Sequence, residues 1–162
     1  MLLDKEKVLK FLPHRDPFLF IDSVDSIVCN DWELGGPVVS KKEVIGCEVI
    51  ANYFADPDLE IFKGHFPGKP IFPGVIQVEM MAQASSFVVC SLHPNPFVES
   101  SLDVALVSVN NAKFRKPVLP GMNLKIKSKC VRYRAPIMSR DCMIFHEDEL
   151  VSECTILASV KY

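Results

Sequence analysis

The stretch GHFPGKPIFPGVIQVEMMAQAS, Gly64 to Ser85, holds the residues with the most chemical meaning in this chain. His65 lies in a loop where Pro67, Pro70 and Pro73 restrict the backbone, and rigid loops are where reactive groups are held ready. Glu79 follows 14 residues later in an otherwise apolar run. A carboxylate there must be paired, hydrogen-bonded or driven toward its neutral form, because burial penalises charge. Gly74 opens that run, so its N–H is an unpaired donor at the positive end of a helix, and the missing side chain allows close approach. An imidazole that moves protons near neutral pH, a carboxyl group in a dry setting and an amide for developing negative charge suit one chemistry well. They fit proton abstraction beside a thioester carbonyl, coupled to loss of a β-hydroxyl. A plainer account competes, in which Glu79 only bonds the backbone or Gln83 one turn on and His65 is structural or merely exposed.

These groups need elements to position them. Asp4 caps a short amphipathic helix, KEKVLKFL, that Pro13 ends. FLFIDSVDSIV, 18–28, reads as a strand, NDWELGGP as a turn and VVSKKEVIGCEVI, 38–50, as the returning strand of a hairpin. The prolines at 57, 67, 70 and 73 predict a stiff loop without regular helix over 55–73. From Gly74 the chain is apolar on nearly every face until Pro94, the pattern of a helix surrounded by protein. Strands are predicted over Leu102–Arg115, Asn123–Tyr133 and Ile137–Phe145, then a turn at HEDE and a last strand, LVSECTILASV. Lys125, Lys127 and Lys129 alternate with Leu124, Ile126 and Cys130, which puts the lysines on one face of a strand. The expected architecture is α+β, a curved antiparallel sheet wrapped around one long helix.

At 162 residues the chain is expected to form one domain over 1–162, and its 49% hydrophobic and 23% charged content excludes a disordered tail protein. The apolar run from Val75 to Leu92 carries Gln77, Glu79 and Gln83, which disfavours a membrane span. Six cysteines without metal-ligand spacing argue against zinc and against a disulfide framework, so no metal is expected. With no signal-peptide pattern in MLLDKEKVLKFLPHRDPF, the expectation is a reducing, cytoplasmic setting.

LPHRDPFLFID, GHFPGKPIFPGVIQVEMMAQAS and AKFRKPVLPG, in that order between Leu12 and Gly121, resemble the 3-hydroxyacyl-acyl-carrier-protein dehydratases of type II fatty acid synthesis. The resemblance implies a hot-dog fold with no cofactor. It assigns His65 as the catalytic base, Glu79 as its acidic partner and Gly74 as the amide donor to the thioester carbonyl. Phe66, Pro67, Gly68 and Val75 would shape the loop and the substrate contacts around them. It also implies a homodimer with each site shared between subunits, assembled further into a hexamer as a trimer of dimers. A glutamate at position 79, where the isomerising sister type carries aspartate, points to dehydration without isomerisation. His14 in LPHRDPF belongs to the resembling motif and is expected to hold the N-terminal segment.

Between Lys113 and Arg134 stand eight basic residues (Lys113, Arg115, Lys116, Lys125, Lys127, Lys129, Arg132, Arg134) and no acid, on a chain of net charge −2. This is either a solvated strand face or a docking surface for an acidic acyl carrier protein. No motif supports nucleic-acid binding. The sequence departs from the family at Met122, in the longer lead GCEVIANYFADPDLEIFK and in the loose match of PIMSRDCMIFHEDEL, which bears on the substrate more than on the reaction. Rival readings are a hot-dog acyl thioesterase, a dehydratase of a specialised polyketide or lipid pathway, and a non-catalytic carrier-binding subunit.

Overall fold

The computed structural model describes residues 1–98 and 103–161. Helix α1 spans Lys5–Phe11; Asp4 accepts a hydrogen bond from the Lys7 N–H at 3.0 Å, and the helix stops just before Pro13. Strands β1 (Ser23–Val28) and β2 (Glu48–Phe54) form an antiparallel hairpin. A single helical turn, α2 (Glu60–Gly64), precedes the long helix α3 (Gly74–Ser86), which runs on as 3-10 helix over Phe87–Ser91. Strands β3 (Asp103–Phe114), β4 (Asn123–Arg134), β5 (Ile137–His146) and β6 (Glu149–Lys161) follow. All six strands join one antiparallel sheet in the order β1-β2-β4-β5-β6-β3, with β1 and β3 at its edges.

The alternation in β4 is realised: Leu124, Ile126, Ser128 and Cys130 are buried and the three lysines point outward. The inner face continues through Met138, Arg140, Cys142 and Ile144 of β5. Across it lies α3, with Met81 so close that its backbone carbonyl is 4.0 Å from Cys142 Sγ and its sulfur 3.6 Å from Cys154 Sγ. Phe20, Tyr53, Phe62 and Phe72 make edge-on and tilted ring contacts with centroids 5.8–6.0 Å apart, which pins the entry to α3. The enclosure expected of α3 is incomplete: the sheet and the segment around Phe18 and Phe20 cover it, while Val75 in its first turn is 78% exposed.

Four expectations need correction. The returning strand starts at Glu48, not at Val38. Ser40 and Glu43 cap each other reciprocally, with the Ser40 N–H donating to Glu43 Oε2 and the Glu43 N–H to Ser40 Oγ, which turns the chain instead of extending it. Gly46, at φ +93°, then donates its N–H to the Cys130 carbonyl and starts the approach to the sheet. The first strand starts at Ser23, not Phe18, because the Phe18 and Phe20 backbone groups bond the Gln83 side chain and not a neighbouring strand. The stretch 55–73 does contain a helical turn, α2, in the gap between Pro57 and Pro67. Finally, Cys29 and Cys47, at the two ends of the connection between β1 and β2, form a disulfide, while Cys90, Cys130, Cys142 and Cys154 are free and buried. Leu102, the predicted start of the third strand, lies outside the described residues. No helix among the described residues is long and apolar enough to cross a membrane.

Candidate active site

The loop that carries His65 is built by local bonds. The His65 N–H donates to the Ile61 carbonyl at the end of α2, and the Phe66 and Lys69 backbones pair with each other around Gly68, whose φ of +75° favours glycine. The Ile71 N–H returns to the His65 carbonyl at 2.8 Å. His65 Nδ1 lies 2.7 Å from the Ile71 carbonyl. A carbonyl only accepts, so Nδ1 carries the hydrogen and Nε2 presents a lone pair. The ring stacks on Phe66 with centroids 4.0 Å apart, and Phe66 itself is half exposed.

From Ile71 the chain leads directly into α3. The Phe72 N–H is held by the Val118 carbonyl, and Pro73 occupies the N-cap without a side-chain cap, so the Gly74 amide starts the helix uncovered by a capping group. The ring of Phe114, at the end of β3, lies 3.0 Å from where a Gly74 Cβ would stand. Glycine is therefore what lets β3 close onto the helix start, a packing reason beyond the expected access for a ligand. Lys113 and Arg115 flank Phe114 in the chain at the end of β3.

Glu79 stands farther along α3, only a quarter exposed. Gln83 Nε2 donates to Glu79 Oε1 at 2.9 Å and to the Phe18 carbonyl at 3.0 Å, and Gln83 Oε1 accepts the Phe20 N–H at 2.8 Å. His14 Nε2 reaches the same Glu79 oxygen at 3.2 Å. Thus the bond to Gln83 expected on the plainer account exists, but it is one arm of a larger clamp. His14 not only holds the N-terminal segment, it faces the carboxylate. Sequence reasoning passed over Gln83 as a site residue, although its spacing of four from Glu79 on a helix was a usable signal. With Oε1 held twice, Oε2 has no hydrogen-bond or ion-pair partner among the described residues. Glu79 opens on a cavity of about 260 Å³ whose walls include Leu12, Ala82, Ser86, Leu106 and Ala158.

Within one chain, His65 and Glu79 are not joined by any hydrogen bond or ion pair among the described residues; each has its own partners. Val75 and Phe66 stay exposed beside them, and β3 leaves an open edge on which Val104, Leu106 and Val107 are 41–55% exposed. The basic stretch is less free than its sequence suggests. Arg115 and Lys113 share Glu153 at 2.6 and 3.7 Å, Lys116 pairs with Glu149, and Lys129 with Glu48 at 3.0 Å. Lys127 sits over the Phe145 ring, while Lys125, Arg132 and Arg134 have no acidic partner among the described residues. The Arg115 hydrogen bond, reinforced by Lys113, holds the Glu153 carboxyl below the usual range. No group of three or more His, Cys, Asp or Glu side chains among the described residues could hold a metal.

A long helix laid across a six-stranded antiparallel sheet is the hot-dog fold. The dehydratase heterocomplex ApeI:P from Xenorhabdus doucetiae shares it with a TM-score of 0.67 at 17% identity, covering 96% of this chain and 91% of the other. A thioesterase-superfamily member from Thermus thermophilus shares it at a TM-score of 0.57 and 17% identity, covering 72% and 82%. The chain belongs to the FabA-like family, whose domain model matches residues 12–155. It is 36% identical to the 3-hydroxyacyl-[acyl-carrier-protein] dehydratase FabZ of Helicobacter hepaticus, over 98% of this chain and 90% of that protein. It is 38% identical to the FabZ of Anaplasma phagocytophilum, over 99% of both.

Proposed function

We propose that this protein dehydrates 3-hydroxyacyl chains carried on acyl carrier protein to trans-2-enoyl thioesters in fatty acid biosynthesis. Near full-length similarity to the FabZ dehydratases supports the reaction. The observation that carries the roles is the 2.7 Å bond from His65 Nδ1 to the Ile71 carbonyl, which leaves Nε2 as the base. Nε2 takes the proton from the α-carbon, and the electron pair moves toward the thioester carbonyl. The Gly74 N–H, at the positive end of α3, meets the charge that develops on the carbonyl oxygen. The β-hydroxyl leaves as water with a proton from Glu79 Oε2, the C=C bond forms, and the proton held by His65 returns to Glu79. The scheme moves only protons and water.

The separation of His65 from Glu79 within one chain supports a site completed by a second copy. The unpaired, apolar edge of β3 is the surface where two copies would pair and continue the sheet. Further assembly into hexamers belongs to the same reading. Lys113, Arg115 and Lys116, at and just past the end of β3, together with Lys125, Lys127, Arg132 and Arg134, would receive the acidic carrier. We place the reaction in the cytoplasm, the setting that the four free buried thiols Cys90, Cys130, Cys142 and Cys154 favour.

The test follows enoyl formation on a carrier loaded with a 3-hydroxybutyryl group, by mass spectrometry of the carrier. Wild type is expected to remove water, and His65→Ala and Glu79→Gln to lose about 10²–10⁴-fold in rate while remaining folded. A wild-type protein that binds the loaded carrier yet never forms enoyl product refutes the reading.

A further inference from the structure

The inner face of the sheet holds a group that core packing does not explain. Arg140, in the middle of β5, is 3% exposed between Met138 and Cys142. Its Nε donates to Ser128 Oγ at 2.7 Å and its Nη2 to the Ser128 carbonyl at 2.8 Å, while Nη1 is buried with no partner among the described residues. It forms no ion pair among the described residues. The thiols of Cys130 and Cys142 lie near it, and both are pushed upward by burial, toward the neutral form. Asp141 is on the opposite, exposed side of β5 and accepts from Thr155. Burial drives the guanidinium below its usual range, the signature of a charge with nothing to balance it. A hydrophobic side chain would fill this position beside Met138 and Ile144 at no such cost, so packing alone is a poor reason for arginine.

Its place in the molecule supplies a reason. The cavity in front of Glu79 runs along α3 to Ser85 and Ser86 and the side chains of Val104, Ile156 and Ala158. Those five residues also wall a second, much smaller cavity, of about 10 Å³, which Arg140 lines together with Val89 and Met138. That is room for about one water-sized oxygen. From Glu79 to Ser86 the helix advances about 10 Å at about 1.5 Å per residue. An acyl chain entering past Glu79 would therefore point its far end at a buried, half-satisfied guanidinium.

We propose that Arg140 reads the far end of the acyl chain, so that the site takes medium-length 3-hydroxyacyl thioesters ending in a carboxylate in preference to those ending in a methyl group. This rests on the dehydratase reading for the identity of the ligand as an acyl thioester. The terminal oxygen occupies the small cavity, accepts from Nη1 and supplies the missing counter-charge. A methyl end offers neither and leaves Nη1 unpaired.

Affinity is measured for pairs of saturated acyl-pantetheine thioesters of equal length, one methyl-ended and one carboxylate-ended, against wild type, Arg140→Met and Arg140→Lys. These ligands lack the 3-hydroxyl group, so binding is read independently of dehydration. Wild type is expected to prefer the carboxylate-ended ligand by about 10- to 100-fold, the range of a charge-assisted hydrogen bond. Arg140→Met should remove or reverse the preference and Arg140→Lys should keep part of it. Equal affinities in wild type, or a preference that survives Arg140→Met, overturn the proposal. Should Arg140→Met fail to fold, the wild-type ratio and the lysine variant decide. Dehydration of the 3-hydroxybutyryl carrier is scored in parallel. Turnover without an end-group preference sinks this inference alone, and a preference without turnover sinks the dehydratase reading alone.

Discussion

Replacing Gln83 by leucine, which has nearly its shape, should separate the clamp from mere packing. Gln83 is 2% exposed and serves three groups at once: the Phe20 N–H, the Phe18 carbonyl and Glu79 Oε1. Losing the acceptor for a buried N–H costs about 1–3 kcal/mol, and each carbonyl or carboxylate deprived of its donor adds about 0.5–1.5 kcal/mol. Glu79 keeps its contact with His14 and is partly solvated, so its share falls at the low end. The expected loss is about 3 kcal/mol, which for a chain of this length lowers the melting temperature by roughly 6–12 °C. Urea unfolding at fixed protein concentration measures it, with an unchanged m-value as the check that the folded state is still compact. Enoyl formation by the folded variant should fall further than substrate affinity, because Oε1 is then held from one side only. Gln83→Glu keeps the acceptor for Phe20 but sets a second carboxylate against Glu79, and should harm rate more than the leucine variant does. If Gln83→Leu loses less than about 1 kcal/mol, the three hydrogen bonds do not act as a clamp and the reasoning fails.

Gly74→Ala brings a Cβ within 3.0 Å of the Phe114 ring, which is half exposed and free to swing outward. Stability should change by less than about 1 kcal/mol, the helix gain offsetting the contact, while turnover drops about tenfold or more as the ring is displaced beside the amide; because alanine keeps the N–H, equal turnover would mean that no substrate group packs closely against this position. Reduction of the Cys29–Cys47 bond, which closes a separation of 18 residues, should cost about 3 kcal/mol in urea unfolding with and without dithiothreitol. No difference, with an intact mass showing free thiols throughout, would show that the bond does not form. Burial raises Cys142 to about 11 and Cys90 and Cys154 to about 12, and raises Cys130 as well. Folded protein at pH 8 should therefore resist iodoacetamide at all four. Because these thiols bind their protons more tightly when folded, the stability they contribute is complete below the unfolded thiol value of about 8.5 and is lost as pH rises toward the folded values. A pH scan of the urea midpoint checks the sign.

The local signals were strong where a single element answers to its own sequence. The alternation of lysine with apolar residues in β4, the Asp4 cap, the break at Pro13 and the helix beginning at Gly74 all appear in the structure near their predicted places. Each depends on neighbours within a few residues. The GHFPG loop and the isolated glutamate were legible too, because proline rigidity and a lone carboxylate in an apolar run carry their own physical meaning, although Glu79 is a quarter exposed and not in a dry setting. The reciprocal Ser40–Glu43 cap was also present in the sequence as S-x-x-E, but the β-branched residues around it outweighed it in the reading of 38–50 as a strand.

What needed the tertiary structure is every pairing between distant segments. His14 and Glu79 are 65 positions apart, and their contact exists only because the segment after α1 folds against α3. Acids from β2 and β6 cover half of the basic stretch, which in one dimension has no acid within it. Arg140 looks like an ordinary charged residue in a strand of mixed polarity; only its register between β4 and β6 turns it inward, where it lines a small cavity. Propensity and periodicity act over a turn or a strand, whereas burial, counter-charge and access are properties of the packed whole.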